Sequence, residues 1–292
     1  MNFVGLDATV MCTCFADGLC EPPPFAEKII VDQEGYLSLD IPWEGNQDKY
    51  SALHGWMAHA CEHPQMEAAD ERISNWTGYR SFRQALEEIG WDHFPTLKAE
   101  LPQANGGCTS SLSAEAILRE LDYFVEHSRP TRSVVLMDVD SGETLHEYVA
   151  AYQGVFSWSA SGEDLGVDTA GFFIRRRRTL WGRTFSSEVF RSMRFTQTLR
   201  QPRSLWGLRR EEIEYCDLES GRRYRCHARV NRAVRGPKGQ LQNEEGKYRF
   251  ELPAQLQVIT RDKAASEYEY ILDPLRTVCE ASIRTGNPIR WC

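Results

Sequence analysis

At Ser128-Arg129-Pro130 the hydrophobic period of this 292-residue chain changes from helical to strand-like. Upstream, three segments place apolar residues three and four apart. The first, DKYSALHGWMAHACEH, carries Leu53, Trp56, Met57, Ala60 and Cys61, with Pro64 as its stop. The second, over residues 78–90, carries Phe82, Leu86 and Ile89 and ends at Gly90. The third is capped by Ser113 and carries Ile117, Leu118, Leu121, Phe124 and Val125. Downstream, SVVLMD and ETLHEYVAAY flank Asp138-Val139-Asp140-Ser141-Gly142, and EIEYCDL and RRYRCHARV flank Asp217-Leu218-Glu219-Ser220-Gly221. Both read as hairpins closed by Asp/Ser/Gly turns. Strands are also expected at YRFELPAQLQVIT and EYEYIL, then a helix with Asp273 as N-cap and Pro274 in its first turn. The expected fold is α+β. It has a mixed domain over 1–129, with three helices and a small sheet, packed on a strand-rich domain over 130–292 that ends in a helix.

The opening VGLDATVMCTCF alternates at period two through Leu6, Ala8, Val10, Cys12 and Cys14, which places both cysteines on one face of a strand. Together with Cys61 and His63 of the ACEH segment they form the thiol and imidazole set of a closed, structural Cys3His zinc site. A second arrangement sets His59 and His63 one helical turn apart, with Glu62 or Glu67 nearby, as an open site for a metal-dependent hydrolase. Neither a C-x2-C pair nor HExxH is present, and cysteine is among the most buried residue types. Plain core packing is therefore the favoured reading of the three thiols, with no cofactor required.

Charge is distributed unevenly. Residues 1–150 carry 25 Asp/Glu against 9 Lys/Arg, whereas the remainder carries 17 against 25. Such a split suits an acidic surface offered to a basic partner, or two halves that neutralise each other. Nine cysteines at irregular spacing argue against a secreted disulfide framework. With no basic-then-apolar leader and no apolar run of spanning length, a cytoplasmic protein away from membranes is expected.

The strongest nucleic-acid feature is the run Arg175, Arg176, Arg177 and Arg178 with Trp181 beside it, since guanidinium groups bind phosphate and aromatics stack on bases. On a strand the run divides between two faces, and arginines also protect a sheet edge, the reading favoured here. Cys216, Cys226 and His227 lie on two arms of one hairpin without zinc-ribbon spacing and read as free thiols and an ordinary histidine. Gly246-Lys247 lacks a phosphate-binding loop, and neither GxGxxG nor GxSxG occurs in a fitting context.

GLDATVMCTCF, the triple proline Pro22-Pro23-Pro24, the VDQEG hairpin and ACEH resemble a group of bacterial cytoplasmic proteins, some of them similar to immunity proteins. The resemblance covers the first 63 residues and implies a non-catalytic protein that neutralises a basic toxin by occlusion. Glu62, Glu67, Asp70 and Glu71, beyond the first helix, are the acidic contacts that such a surface would use. Protein binding is thus the leading expectation, nucleic-acid binding through Arg175–Arg178 the alternative, and hydrolysis at His59/His63 the third.

Overall fold

The computed structural model describes residues 5–32, 34–127, 130–158, 162–180, 183–200, 212–227, 233–236, 240–242, 248–250 and 252–292. The chain is α+β and divides into two compact units, Met1–Thr131 with Ala264–Cys292, and Arg132–Lys263. The first crossing falls where the hydrophobic period changes. The final segment, expected to complete the second domain, belongs instead to the first.

In chain order unit 1 contains β1 (Gly5–Met11), β2 (Ile29–Val31), β3 (Leu37–Leu39), α1 (Gln47–Met57), β4 (Glu67–Asn75), α2 (Trp76–Ile89), α3 (Pro95–Glu100), β5 (Cys108–Thr109) and α4 (Ser111–His127). Unit 2 carries β6 (Thr131–Asp138), β7 (Thr144–Glu147), β8 (Val155–Ser157), β9 (Glu163–Asp168), β10 (Gly171–Leu180), β11 (Arg183–Ser192) and β12 (Arg194–Arg200). It continues through β13 (Glu212–Asp217), β14 (Arg223–His227), β15 (Gln240–Gln242), β16 (Tyr248–Phe250) and β17 (Gln255–Lys263), after which α5 (Glu269–Thr285) and β18 (Ile289–Trp291) return to unit 1.

The main sheet of unit 1 is antiparallel in the order β4-β1-β18-β5. Leu6, Ala8 and Val10 are fully buried on one face of β1, as their alternation predicts. They join a core built from α2, α4 and α5, in which the rings of Phe82, Phe124 and Tyr268 meet at centroid distances of 5.3–5.9 Å. Tyr268, Ile271, Leu272 and Leu275 explain why EYEYIL is helical rather than a strand. They are spaced i, i+3, i+4 and i+7, all are buried, and α5 begins at Glu269. Pro274 thus sits inside the helix, where it leaves out one backbone donor.

α3 depends on α4 for its start. The buried Glu120 carboxylate accepts the backbone N–H groups of Thr96 and Leu97, each at 2.8 Å, at the end where helical donors lack partners. Glu120→Ala is expected to destabilise the protein by about 2–3 kcal/mol, because charged hydrogen bonds are lost and a buried N–H is left unmade. A lower urea midpoint at unchanged m would record it; an unchanged midpoint would reject the capping role.

Unit 2 pairs a four-stranded sheet, β11-β10-β9-β8, with a six-stranded sheet, β14-β13-β12-β17-β6-β7, and also contains the antiparallel pair β15-β16. One core draws on both larger sheets, with Phe172 stacked on Phe195 at 4.4 Å and Phe190 and Tyr215 around them. Both expected hairpins form, β6–β7 and β13–β14. Cys216 and Cys226 nevertheless occupy opposite faces of theirs, since Cys226 pairs with Ile213 and Cys216 with Arg223. Cys226 belongs to the core.

His146 stacks on Phe156 at 3.7 Å, and burial lowers its pKa to about 4 from an ordinary 6.5. The unfolded chain therefore takes up this proton first as pH falls. Stability from the neutral ring is complete above about 6.5 and is lost between about 6.5 and 4. His146→Phe is expected to flatten the slope of urea midpoint against pH in that window; an unaltered slope would assign the acid sensitivity elsewhere.

Candidate metal centre

Residues 12–66 leave the main sheet at the end of β1 and return at the start of β4. Because β1 and β4 are antiparallel neighbours, with Met11 opposite Glu67, the residues just after one strand lie beside those just before the other. This topology brings Cys12 and Cys14 to Cys61 and His63. The helical period through Cys61 had implied one continuous helix to Pro64, but α1 ends at Met57. The chain then turns, with His59 N–H donating to the Trp56 carbonyl at 2.9 Å. Ala60 and Cys61 are apolar because they face a small core, not because a helix continues.

That core holds Met11, Cys12, Cys14, Leu37, Leu39, Leu53, Met57, Ala60 and Met66. Its regular elements are two three-residue strands and α1, a modest framework for so long an excursion. The loop on the ligand side is held by backbone contacts. Cys12 N–H donates to the Met66 carbonyl at 2.7 Å, and Met66 N–H to the His63 carbonyl at 2.9 Å. Gln65 and Met66 both take left-handed conformations, φ 54° and 60°, which non-glycine residues adopt at a cost. Asn287, from the returning C-terminal segment, donates its carboxamide N–H to the carbonyls of Met11 at 2.8 Å and Cys12 at 3.3 Å.

The four ligand atoms lie within 4.8 Å of one another. Cys12 Sγ is 3.8 Å from Cys61 Sγ, Cys14 Sγ is 3.5 Å from His63 Nδ1, and Cys61 Sγ is 3.8 Å from His63 Nδ1. A tetrahedron built on zinc bonds of about 2.3 Å to sulfur and about 2.0–2.1 Å to nitrogen has edges of about 3.8 Å between sulfurs and about 3.5 Å from sulfur to nitrogen. These three of the six separations match those edges to within a few tenths of an ångström, and the other three are no longer than 4.8 Å. Among the described residues this is the one group of three or more His, Cys, Asp or Glu side chains placed to hold a metal ion. Core packing, the favoured reading of the sequence, accounts for the burial of Cys12 and Cys14; it does not account for an imidazole nitrogen among three thiols.

Burial pushes the Cys12 thiol up to about 12 and raises Cys14 and the adjacent Cys20 as well. Metal capture must displace protons from such thiols, so affinity rises with pH.

His59 is exposed and outside the cluster, so the structure does not assemble the open His59/His63 arrangement. The four acidic candidates are also dispersed. Glu62 is exposed in the ligand loop. Glu67 accepts a short hydrogen bond from Tyr36 Oη, whose oxygen in turn accepts from the Thr9 hydroxyl at 2.8 Å. Asp70 shares the outer face with Thr9, whereas Glu71 lies opposite Ala8 on the helix-covered face.

The arginine run occupies β10, which pairs with β9 up to Arg176 and with β11 throughout. Through Arg176 it is therefore an inner strand, not the sheet edge that the arginines were expected to protect; beyond that point β11 is its one strand neighbour among the described residues. Arg175 lies over the Phe173 ring at 4.2 Å, Arg176 pairs with Glu163 at 3.0 Å and Tyr224 at 2.7 Å, and Arg177 pairs with Asp164 at 2.6 Å. Arg178 is exposed, and Trp181 lies outside the described residues.

Sequence reasoning missed Asn287, which no local motif marks, and a second arginine group on β12 and β14, for which Arg-x-Arg in RRYRC was the available signal. Among the described residues no helix is long and apolar enough to cross a membrane. Comparison with protein-family models, curated proteins and solved structures found no match.

Proposed function

We propose that this chain is a non-catalytic binding protein whose N-terminal unit is completed by a structural zinc ion held by Cys12, Cys14, Cys61 and His63. The observation that carries the reading is the grouping of three sulfurs and one nitrogen within 4.8 Å of one another, with three separations at the edge lengths of a zinc tetrahedron. Four protein ligands fill zinc's coordination shell and leave no position for water or substrate, the arrangement of structural rather than catalytic sites. The ion would tie the end of β1 to the start of β4 and so fix the excursion between them.

The partner would be a basic protein, in keeping with the resemblance of the opening segment to immunity-like proteins. Unit 1 carries 25 Asp/Glu against 11 Lys/Arg, a net charge of −14. That field would speed encounter with a basic surface.

Cobalt substitution tests the closed site. A Co2+-loaded protein is expected to show the intense visible bands of tetrahedral cobalt with thiolate ligands, unchanged when azide or imidazole is added. Bands that shift with either ligand would reveal an open position and favour catalysis.

A further inference from the structure

On the outer face of the six-stranded sheet, three guanidinium groups converge on one carboxylate. Glu214 of β13 has a side chain only 6% exposed, and Arg200 of β12 and Arg225 of β14 reach it from either side at 2.6 and 2.5 Å. Arg223, two residues before Arg225 on β14, approaches at 3.6 Å. The register places all four on one face, because Glu214 pairs with Thr198 and Arg225 while Arg200 lies two residues beyond Thr198. Burial alone would raise the Glu214 carboxyl, but Arg225 and Arg200 hold it below the ordinary range.

A single buried carboxylate requires one cation, and this one has three. Counting Glu212, which shares the face, the patch remains positive. The arginine side chains stay 46–58% exposed, so their unused N–H edges meet solvent. Glu214 holds together guanidinium groups that would otherwise repel one another. Unit 2 as a whole has 23 Lys/Arg against 17 Asp/Glu, a net charge of +6, and so favours anions.

We infer that the Arg200–Arg223–Arg225 face binds the phosphodiester backbone of a single-stranded nucleic acid. The backbones bearing Arg223 and Arg225 are about 7 Å apart along β14, and Arg200, two strands across and two residues along, is about 12 Å from Arg225, a spread that suits successive phosphates better than one small anion. Guanidinium groups recognise phosphate in forked geometry. A sheet face presents neither a helix nor a free ribbon to enter a duplex groove, so an extended single strand is the form it fits. The inference is independent of the metal centre.

Fluorescence anisotropy of the full chain with labelled mixed-sequence single-stranded RNA and DNA tests it, with a duplex, a phosphopeptide and polyglutamate as comparisons. Single strands are expected to bind, and to weaken at least tenfold between about 50 and 200 mM salt. Arg223→Gln, the variant with the longest contact to Glu214, is expected to weaken binding about three- to fivefold, flatten the salt dependence and leave the melting temperature unchanged. Replacing Arg200, Arg223, Arg225 and Glu214 together by glutamine avoids stranding the buried carboxylate and is expected to remove more than tenfold. Failure to bind single strands at low salt, preference for the duplex or phosphopeptide, equal uptake of polyglutamate, or full affinity in both variants would overturn the inference.

Discussion

Cys12→Ser is expected to cost the protein its metal and to unfold the excursion between β1 and β4. Structural zinc sites contribute on the order of 10–16 kcal/mol of apparent binding energy in small domains, comparable to or above the whole net stability of an ordinary one. The excursion has few means of compensation: its strands β2 and β3 are three residues each, and its core is lined by the ligands themselves. Cys12 is also the ligand nearest the main sheet, through its N–H bond to Met66 and the Asn287 contact to its carbonyl. Loss of the ligand should therefore expose residues 12–66 to protease while α2, α4 and α5 stay protected. His59→Ala, at an exposed position outside the cluster, should keep both metal and protection. Equal protease resistance in wild type and Cys12→Ser would show that apolar packing suffices.

The second large effect belongs to unit 2. Phe172→Ala is expected to destabilise it by about 3–5 kcal/mol, the range for truncating a buried phenylalanine. Phe172 is fully buried and its ring meets those of Phe195, Phe190, Tyr215 and Phe156. Phe172 lies on β10 and Phe195 on β12, so truncation leaves a cavity in the core that the two sheets share. Hydrogen exchange should accelerate across β9 to β14 and leave β1, β4 and β18 unaltered. A loss of protection in both units would show that they unfold as one; no acceleration in either would mean that the cavity collapses without cost.

The sequence carried its local patterns into the structure more faithfully than its distant pairings. Period-two alternation identified the buried face of β1, and period 3.6 identified α2 and α4. The four metal-centre residues were also legible, as Cys-x-Cys and Cys-x-His, because each pair lies within three residues. What remained illegible was that the pairs meet. Their proximity follows from β1 pairing with β4, a contact over more than fifty residues that no local pattern encodes. The return of α5 and β18 to unit 1 is of the same kind, since β18 inserts beside β1 from the far end of the chain. Where apolar spacing misled, at the end of α1 and the start of α5, the backbone conformation was misread: α1 stops at Met57, and EYEYIL enters a helix rather than a strand. The arginine run shows another limit: composition marks Arg175 to Arg178 as basic, but only the register reveals Glu163 and Asp164 opposite Arg176 and Arg175 on β9.

The measurement that bears most directly on the metal centre is metal analysis with zinc X-ray absorption on protein purified without added metal or chelator. One zinc per chain is predicted, with three sulfur neighbours at about 2.3 Å and one nitrogen at about 2.0–2.1 Å. A folded protein that contains no zinc, and takes none up when it is supplied, would contradict the account.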